Sequence, residues 1–157
     1  MPQISIETRI AAPTEVCFDL ARNIDFHVRS LEHTGERAVA GVTSGLIGLD
    51  ESVTWEAKHL GIRQRLTSKI TAFDPPHHFQ DTMTRGAFKR FVHDHLFVAD
   101  GDATIMRDVI DFASPLGPLG WVTDRVLMGG YLRQLITDRG VMIRAEAERL
   151  TSLQRVL

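Results

Sequence analysis

The chain has a single cysteine, Cys17, among its 157 residues. An intrachain disulfide is therefore impossible, and a cysteine-built metal site is excluded. Cys17 sits in an apolar run, where a thiol is most simply buried and inert. No charge of either sign dominates: 18 Lys and Arg face 20 Asp and Glu, giving a net charge of −2. That balance leaves no electrostatic footprint for nucleic acid or an anionic membrane surface. No apolar run approaches the ~20 residues needed to cross a bilayer. The opening Met1-Pro-Gln-Ile-Ser-Ile-Glu-Thr-Arg-Ile10 lacks the basic-then-apolar order of a secretory signal. A reduced, cytoplasmic protein without an integral membrane segment is the expectation. Phosphate-cradling glycine loops, a nucleophile elbow and a helical His-Glu-x-x-His are all missing. Ser and Cys nucleophiles thus have no support.

What is present is ordinary apolar content, 43%, in a chain long enough for one domain with a real core. Residues 1–157 read as that single domain. Ile4, Ile6, Thr8 and Ile10 alternate with polar neighbours, the period of a half-buried strand. Ala12-Pro13 ends it and suits a helix start. Val16, Cys17, Phe18, Leu20, Ala21 and Ile24 then predict one or two short helices through about Leu31. From Glu36 to Phe112, glycines, Pro75-Pro76 and Asp100-Gly101 punctuate six strands, near 36–43, 49–59, 62–73, 78–85, 88–99 and 102–113. Beyond Pro115-Leu-Gly-Pro118 the period changes. Val122, Val126, Leu127, Leu132, Leu135, Ile136, Met142 and Ile143 mark a long amphipathic helix. Gly129-Gly130 and Gly140 fall within it, either to let it pack closely on the sheet or to leave room for a ligand. Residues past Leu150 are expected to fray.

This order is α+β. A curved seven-stranded antiparallel sheet would wrap round the last helix, with strand one closing against strand seven and a void between sheet and helix.

The stretch from Phe88 to Phe112 is the most informative. Asp100-Gly101 favours a two-residue type I′ hairpin turn. A turn centred there sets Ala99 opposite Asp102, His93 opposite Asp108, Phe91 opposite Ile110, His95 opposite Met106 and Phe97 opposite Thr104. The other face pairs Asp94 with Arg107 and Arg90 with Asp111, as cross-strand ion pairs favour. One face is charged and tolerates solvent. The other is aromatic and apolar, with two histidines and an aspartate set into it, which suits a pocket wall better than a core.

Several of these segments carry a family likeness. Ile10-Ala-Ala-Pro-Thr-Glu-Val-Cys-Phe18, Phe79-Gln-Asp81, Gly86-Ala-Phe-Lys-Arg-Phe-Val-His-Asp-His-Leu-Phe97, Asp108 and Pro115-Leu-Gly-Pro-Leu-Gly120 together resemble the SRPBCC superfamily. These are the helix-grip proteins, which include START lipid carriers, birch pollen allergen relatives, aromatic polyketide cyclases and coenzyme Q-binding proteins. A bacterial ligand-binding subgroup is the nearest likeness, with Phe91 where that subgroup often has tryptophan. The resemblance implies the helix-grip fold over nearly the whole chain and a small hydrophobic molecule as partner. It also favours an inward Asp81, which an odd-length loop before His93 would permit.

The candidate site follows from these readings. His93, His95, Asp108 and Asp81 would orient the polar end of a ligand. Trp55, Phe79, Met83, Phe91, Phe97, Met106, Ile110 and Phe112 would supply apolar walls, as a small-molecule pocket requires. His93 beside Asp108 is the candidate catalytic pair, since a carboxylate fixes the tautomer of an imidazole and prepares it for proton transfer. That pair would serve a cofactor-independent cyclase, dehydratase or isomerase. A ligand-modulated interaction protein is a third expectation. His93-x-His95 puts two rings on one face and, with Asp81 or Asp108, could complete a two-His, one-carboxylate set. Any alternating strand with two histidines produces that spacing, so neither metal nor cofactor is assigned from it. The oligomeric state is left open.

Overall fold

A computed structural model of the protein describes residues 2–123 and 127–157, apart from the side chains of Trp121 and Thr123. Strand β1 (Gln3–Ile10) leads into helices α1 (Thr14–Ala21) and α2 (Ile24–Ser30). Six strands follow: β2 (Arg37–Gly41), β3 (Ser52–His59), β4 (Ile62–Asp74), β5 (His78–Arg85), β6 (Arg90–Asp100) and β7 (Ala103–Ala113). Helices α3 (Gly117–Thr123) and α4 (Gly129–Val156) complete the order. All seven strands form one antiparallel sheet, β1-β7-β6-β5-β4-β3-β2, so the first strand does pair with the seventh. This is the expected helix-grip architecture. Asn23 caps α2 by accepting a hydrogen bond from the Phe26 amide at 2.9 Å.

The β6–β7 register differs from the expectation by two residues. Ala99 pairs with Thr104, Phe97 with Met106, His95 with Asp108 and His93 with Ile110. The hairpin turns on Gly101-Asp102 rather than Asp100-Gly101. Gly101 takes φ +60° while Asp102 does not enter the positive region, the pattern of a type II′ turn with glycine first. A slip of two preserves the side-chain faces, because the strand period is two. Arg90 still pairs with Asp111, at 3.0 Å, but Arg107 turns to Glu7 at 2.8 Å. Asp94 instead accepts from His78 and Gln80.

Phe18 on α1 packs edge-on against Phe79 and Phe97, with ring centroids 5.4 and 5.5 Å away. Its burial contributes about 1.5–3 kcal/mol. Ile10, Met106 and Ile143 join the same cluster and tie α4 to β1 and β7. Cys17 is fully buried there, and burial first of all pushes its thiol up to about 11, so it stays protonated and inert. A second cluster joins Ile4, Ile110 and Phe112 to Leu132 of α4.

The predicted long helix corresponds to α3 and α4, and residues 124–126 between them, Val126 included, lie outside the described residues. Leu132, Leu135, Ile143, Ala147 and Thr151 form the buried stripe of α4. Met142 is 42% exposed, since a neighbour one residue from Ile143 is turned about 100° round the axis. Gly129 and Gly130 stand in the first turn of α4, directly after the π-helical Leu127 and Met128, and do not break the helix. Gly140 permits close approach: a Cβ there would lie 2.9 Å from Thr8 Oγ1 on β1. The expected fraying beyond Leu150 does not occur. The helix runs to Val156, and Thr151 is buried with its hydroxyl donating to the Ala147 carbonyl at 2.8 Å. Among the described residues no helix is long and apolar enough to cross a membrane.

Candidate functional site

A cavity of about 200 Å3 lies between the inner face of the sheet, α2 and α4. Ile24, Val53, Ile70, Leu132 and Leu135 give it apolar walls. Of the residues expected in the site, Trp55, Phe79, Asp81, Phe91, His93 and His95 line it. Asp108 stands behind the two imidazoles, 2% exposed. Phe97 and Met106 face inwards but belong to the solid core with Phe18, and Ile110 and Phe112 to the cluster around Leu132. Met83 is half-buried and lies over Gly86, away from the wall.

Asp81 faces inwards because its register partner is His93, so the two side chains share a face. One carboxylate oxygen of Asp81 accepts from His95 Nε2 at 2.8 Å, and the other from Ser68 Oγ at 2.8 Å. Asp108 Oδ1 accepts from His93 Nε2 at 2.8 Å. The same oxygen lies 3.2 Å from His95 Nδ1, at an angle too oblique for a hydrogen bond. The imidazoles sit one on the other with centroids 3.7 Å apart. His95 also stacks on Phe79 at 4.1 Å.

Burial alone would raise both carboxyl groups. The hydrogen bonds and charges of the two histidines outweigh it, so Asp81 and Asp108 are held well below the usual carboxylate range. Burial likewise disfavours both imidazolium ions. For His95 the contacts with Asp108 and Asp81 prevail and its pKa is raised. For His93 burial and the adjacent His95 prevail, and its pKa is lowered despite Asp108.

The charge count then closes with a residue that the sequence reading missed. Arg139 of α4 is 3% exposed, donates to the Ala21 carbonyl at 2.5 Å, and places Nη1 3.9 Å from Asp108 Oδ1. With His95 protonated and His93 neutral, the directions in which burial and partners push them, two carboxylates, one imidazolium and one guanidinium sum to zero. Arg139 could have been found from sequence, because it falls in the apolar stripe between Leu135 and Ile143, where a charged side chain needs a buried partner. With Nε2–H given to Asp108, neutral His93 keeps Nδ1 as an acceptor.

A second polar group on the wall was also missed. His27 Nε2 meets Glu36 Oε1 at 2.6 Å, and the His27 ring stacks on Trp55 at 4.2 Å. Burial pushes the Glu36 carboxyl up, but His27 more than offsets it and holds the pKa below the usual value. His59 Nδ1 lies 2.6 Å from the Tyr131 hydroxyl, joining β3 to α4 across the cavity. These residues are scattered over α2, the loop before β2, β3 and α4, with no local spacing to reveal them.

No family model and no curated protein matches the sequence. Solved structures do match the fold. The Zhui aromatase/cyclase from a Streptomyces species is similar with a TM-score of 0.76, 14% identity and 94% of each chain covered. TTHA0849 from Thermus thermophilus gives 0.72 and 18%, over 93% of this chain and 99% of that one. A START superfamily protein from Mycobacterium smegmatis gives 0.69 and 15%, over 95% and 99%. The resemblance to this superfamily is therefore met at the level of the fold, which by itself does not assign an activity.

Proposed function

We propose that the chain binds a small, largely apolar molecule in the cavity between its sheet and α4, with the polar end against Asp81, His93 and His95. The single observation carrying this reading is a mostly apolar hollow with a few polar clusters set into its wall, Asp81–His93–His95 among them, the usual composition of a ligand site. Its size narrows the class. A cavity of about 150 Å3 accepts a benzene ring, so about 200 Å3 suits a compact one- or two-ring compound better than an extended acyl chain. Quinone-like and aromatic polyketide-like molecules fit that description, encountered in the cytoplasm.

Native mass spectrometry and Trp fluorescence across compact aromatics, quinones, sterols and fatty acids test this reading. One equivalent of a compact ring compound with a polar end is the expected result. No binding above background in any class would overturn it.

A second reading is supported by one specific arrangement. Neutral His93, anchored through Nε2 to Asp108 and lining the cavity, has the form of a general base for a cyclase or dehydratase. Turnover equal to the parent's in a folded His93→Ala protein would remove the pair from such a mechanism.

A further inference from the structure

We propose that Asp81, His93 and His95 bind a divalent transition-metal ion at the cavity wall. The donor atoms of the three residues all lie within 4.8 Å of one another. Asp81 Oδ2 is 2.8 Å from His95 Nε2 and 3.9 Å from His93 Nδ1. Metal–ligand bonds of ~2.0–2.2 Å to imidazole and carboxylate set neighbouring donors about 3 Å apart. Side-chain adjustments of less than about 1 Å would therefore close the three donors round an ion.

The surroundings carry the inference further than the triad does. His93 turns Nε2 to Asp108 and His95 turns Nδ1 to the same oxygen, so each ring directs its other nitrogen towards Asp81. An imidazole backed by a carboxylate on its far nitrogen is the arrangement that orients metal-ligating histidines and raises their basicity. Here Asp108 backs His93 by a hydrogen bond and stands 3.2 Å from His95 Nδ1 without one. Ser68 occupies Asp81 Oδ1 and leaves Oδ2 for the ion. The ligands stand on two adjacent strands in fixed register, which keeps them in place without a metal.

The three ligands line the cavity, so the remaining coordination positions open towards it, as in sites where a metal binds water or a ligand oxygen. Two histidines and one carboxylate suit Fe(II), Co(II) and Zn(II).

Cobalt(II) titration of chelator-stripped protein is the test. One equivalent with visible d–d absorption is expected. Asp81→Asn and His95→Ala should each abolish that absorption, and Asp108→Asn should weaken binding by about 10–100-fold while retaining the spectrum. Histidine NMR of the unaltered protein gives a check that does not depend on mutant folding: cobalt should shift the His93 and His95 resonances before those of His33 and His77. Silent absorption, or first effects at His33 and His77, would overturn the proposal. Neither outcome depends on the organic ligand, so this inference and the ligand reading can fail separately.

Discussion

His93 and Asp108 are bonded along a diagonal of the β6–β7 ladder. The register partner of His93 is Ile110, yet its Nε2 lies 2.8 Å from Asp108 Oδ1, directly opposite His95. One fully buried carboxylate thus serves two imidazoles and faces a guanidinium as well. Asp108→Asn keeps the shape and removes that charge, leaving His95 and Arg139 with Asp81 alone. Breaking a buried ion cluster in this way costs ~3 kcal/mol or more. The midpoint of urea unfolding at unchanged slope measures it; a loss below about 1 kcal/mol, typical of an exposed pair, would contradict the charge count.

The two stacked imidazoles should titrate apart in the metal-free protein. His95 is expected above, and His93 below, the ordinary value of about 6.5. Linkage gives them opposite signs. Stability from His95 is fully present below about pH 6.5 and is lost as pH rises through its folded pKa. Stability from His93 is present above about 6.5 and is lost as pH falls, because the unfolded chain then takes up a proton the folded one refuses. Asp81 and Asp108, both depressed, add stability above about pH 3.9 that disappears on further acidification. Histidine-labelled NMR resolves the rings, and joint titration near the ordinary value would contradict the assignment.

Gly140 and Gly130 separate close packing from helix propensity on one helix. A Cβ at Gly140 would meet Thr8 Oγ1 at 2.9 Å and Met106 Cε at 3.8 Å, whereas Gly130 has open space around it. Gly140→Val should lose about 2 kcal/mol through overpacking. Gly130→Ala should gain about 0.5–1 kcal/mol through helix propensity. Thermal unfolding of both variants checks the pair; equal effects would mean that α4 does not rest on β1 as described.

Strand faces were legible in the sequence because a period of two survives a register slip of two. His93, His95 and Asp108 therefore share the inner face even though the turn centres on Gly101-Asp102. The exact partners were not legible, since Asp100-Gly101 and Gly101-Asp102 are both good two-residue turns and only the sheet's full pairing chooses between them. Depth was not legible either. Phe97, Met106, Ile110 and Phe112 point inwards like His93, but α1 and α4 cover them and leave the cavity over β3 to β6. Periodicity reports a face, while the covering element decides whether that face is core or wall. Glu36 and Tyr131 reach the site only through tertiary packing, whereas Arg139 is signalled by its place in the apolar stripe of α4.

Ala57 gives the most direct test of the cavity as a binding site. It is 4% exposed and lines the cavity on β3, and it takes no part in the Asp81–His93–His95–Asp108 cluster. Ala57→Phe should fill much of the space while leaving those polar groups in place. The measurement is ligand affinity of parent and Ala57→Phe for the compact ring compound found by the survey, with far-ultraviolet circular dichroism confirming the fold. At least tenfold weaker binding in the folded variant is expected, and undiminished affinity would place the ligand elsewhere on the protein.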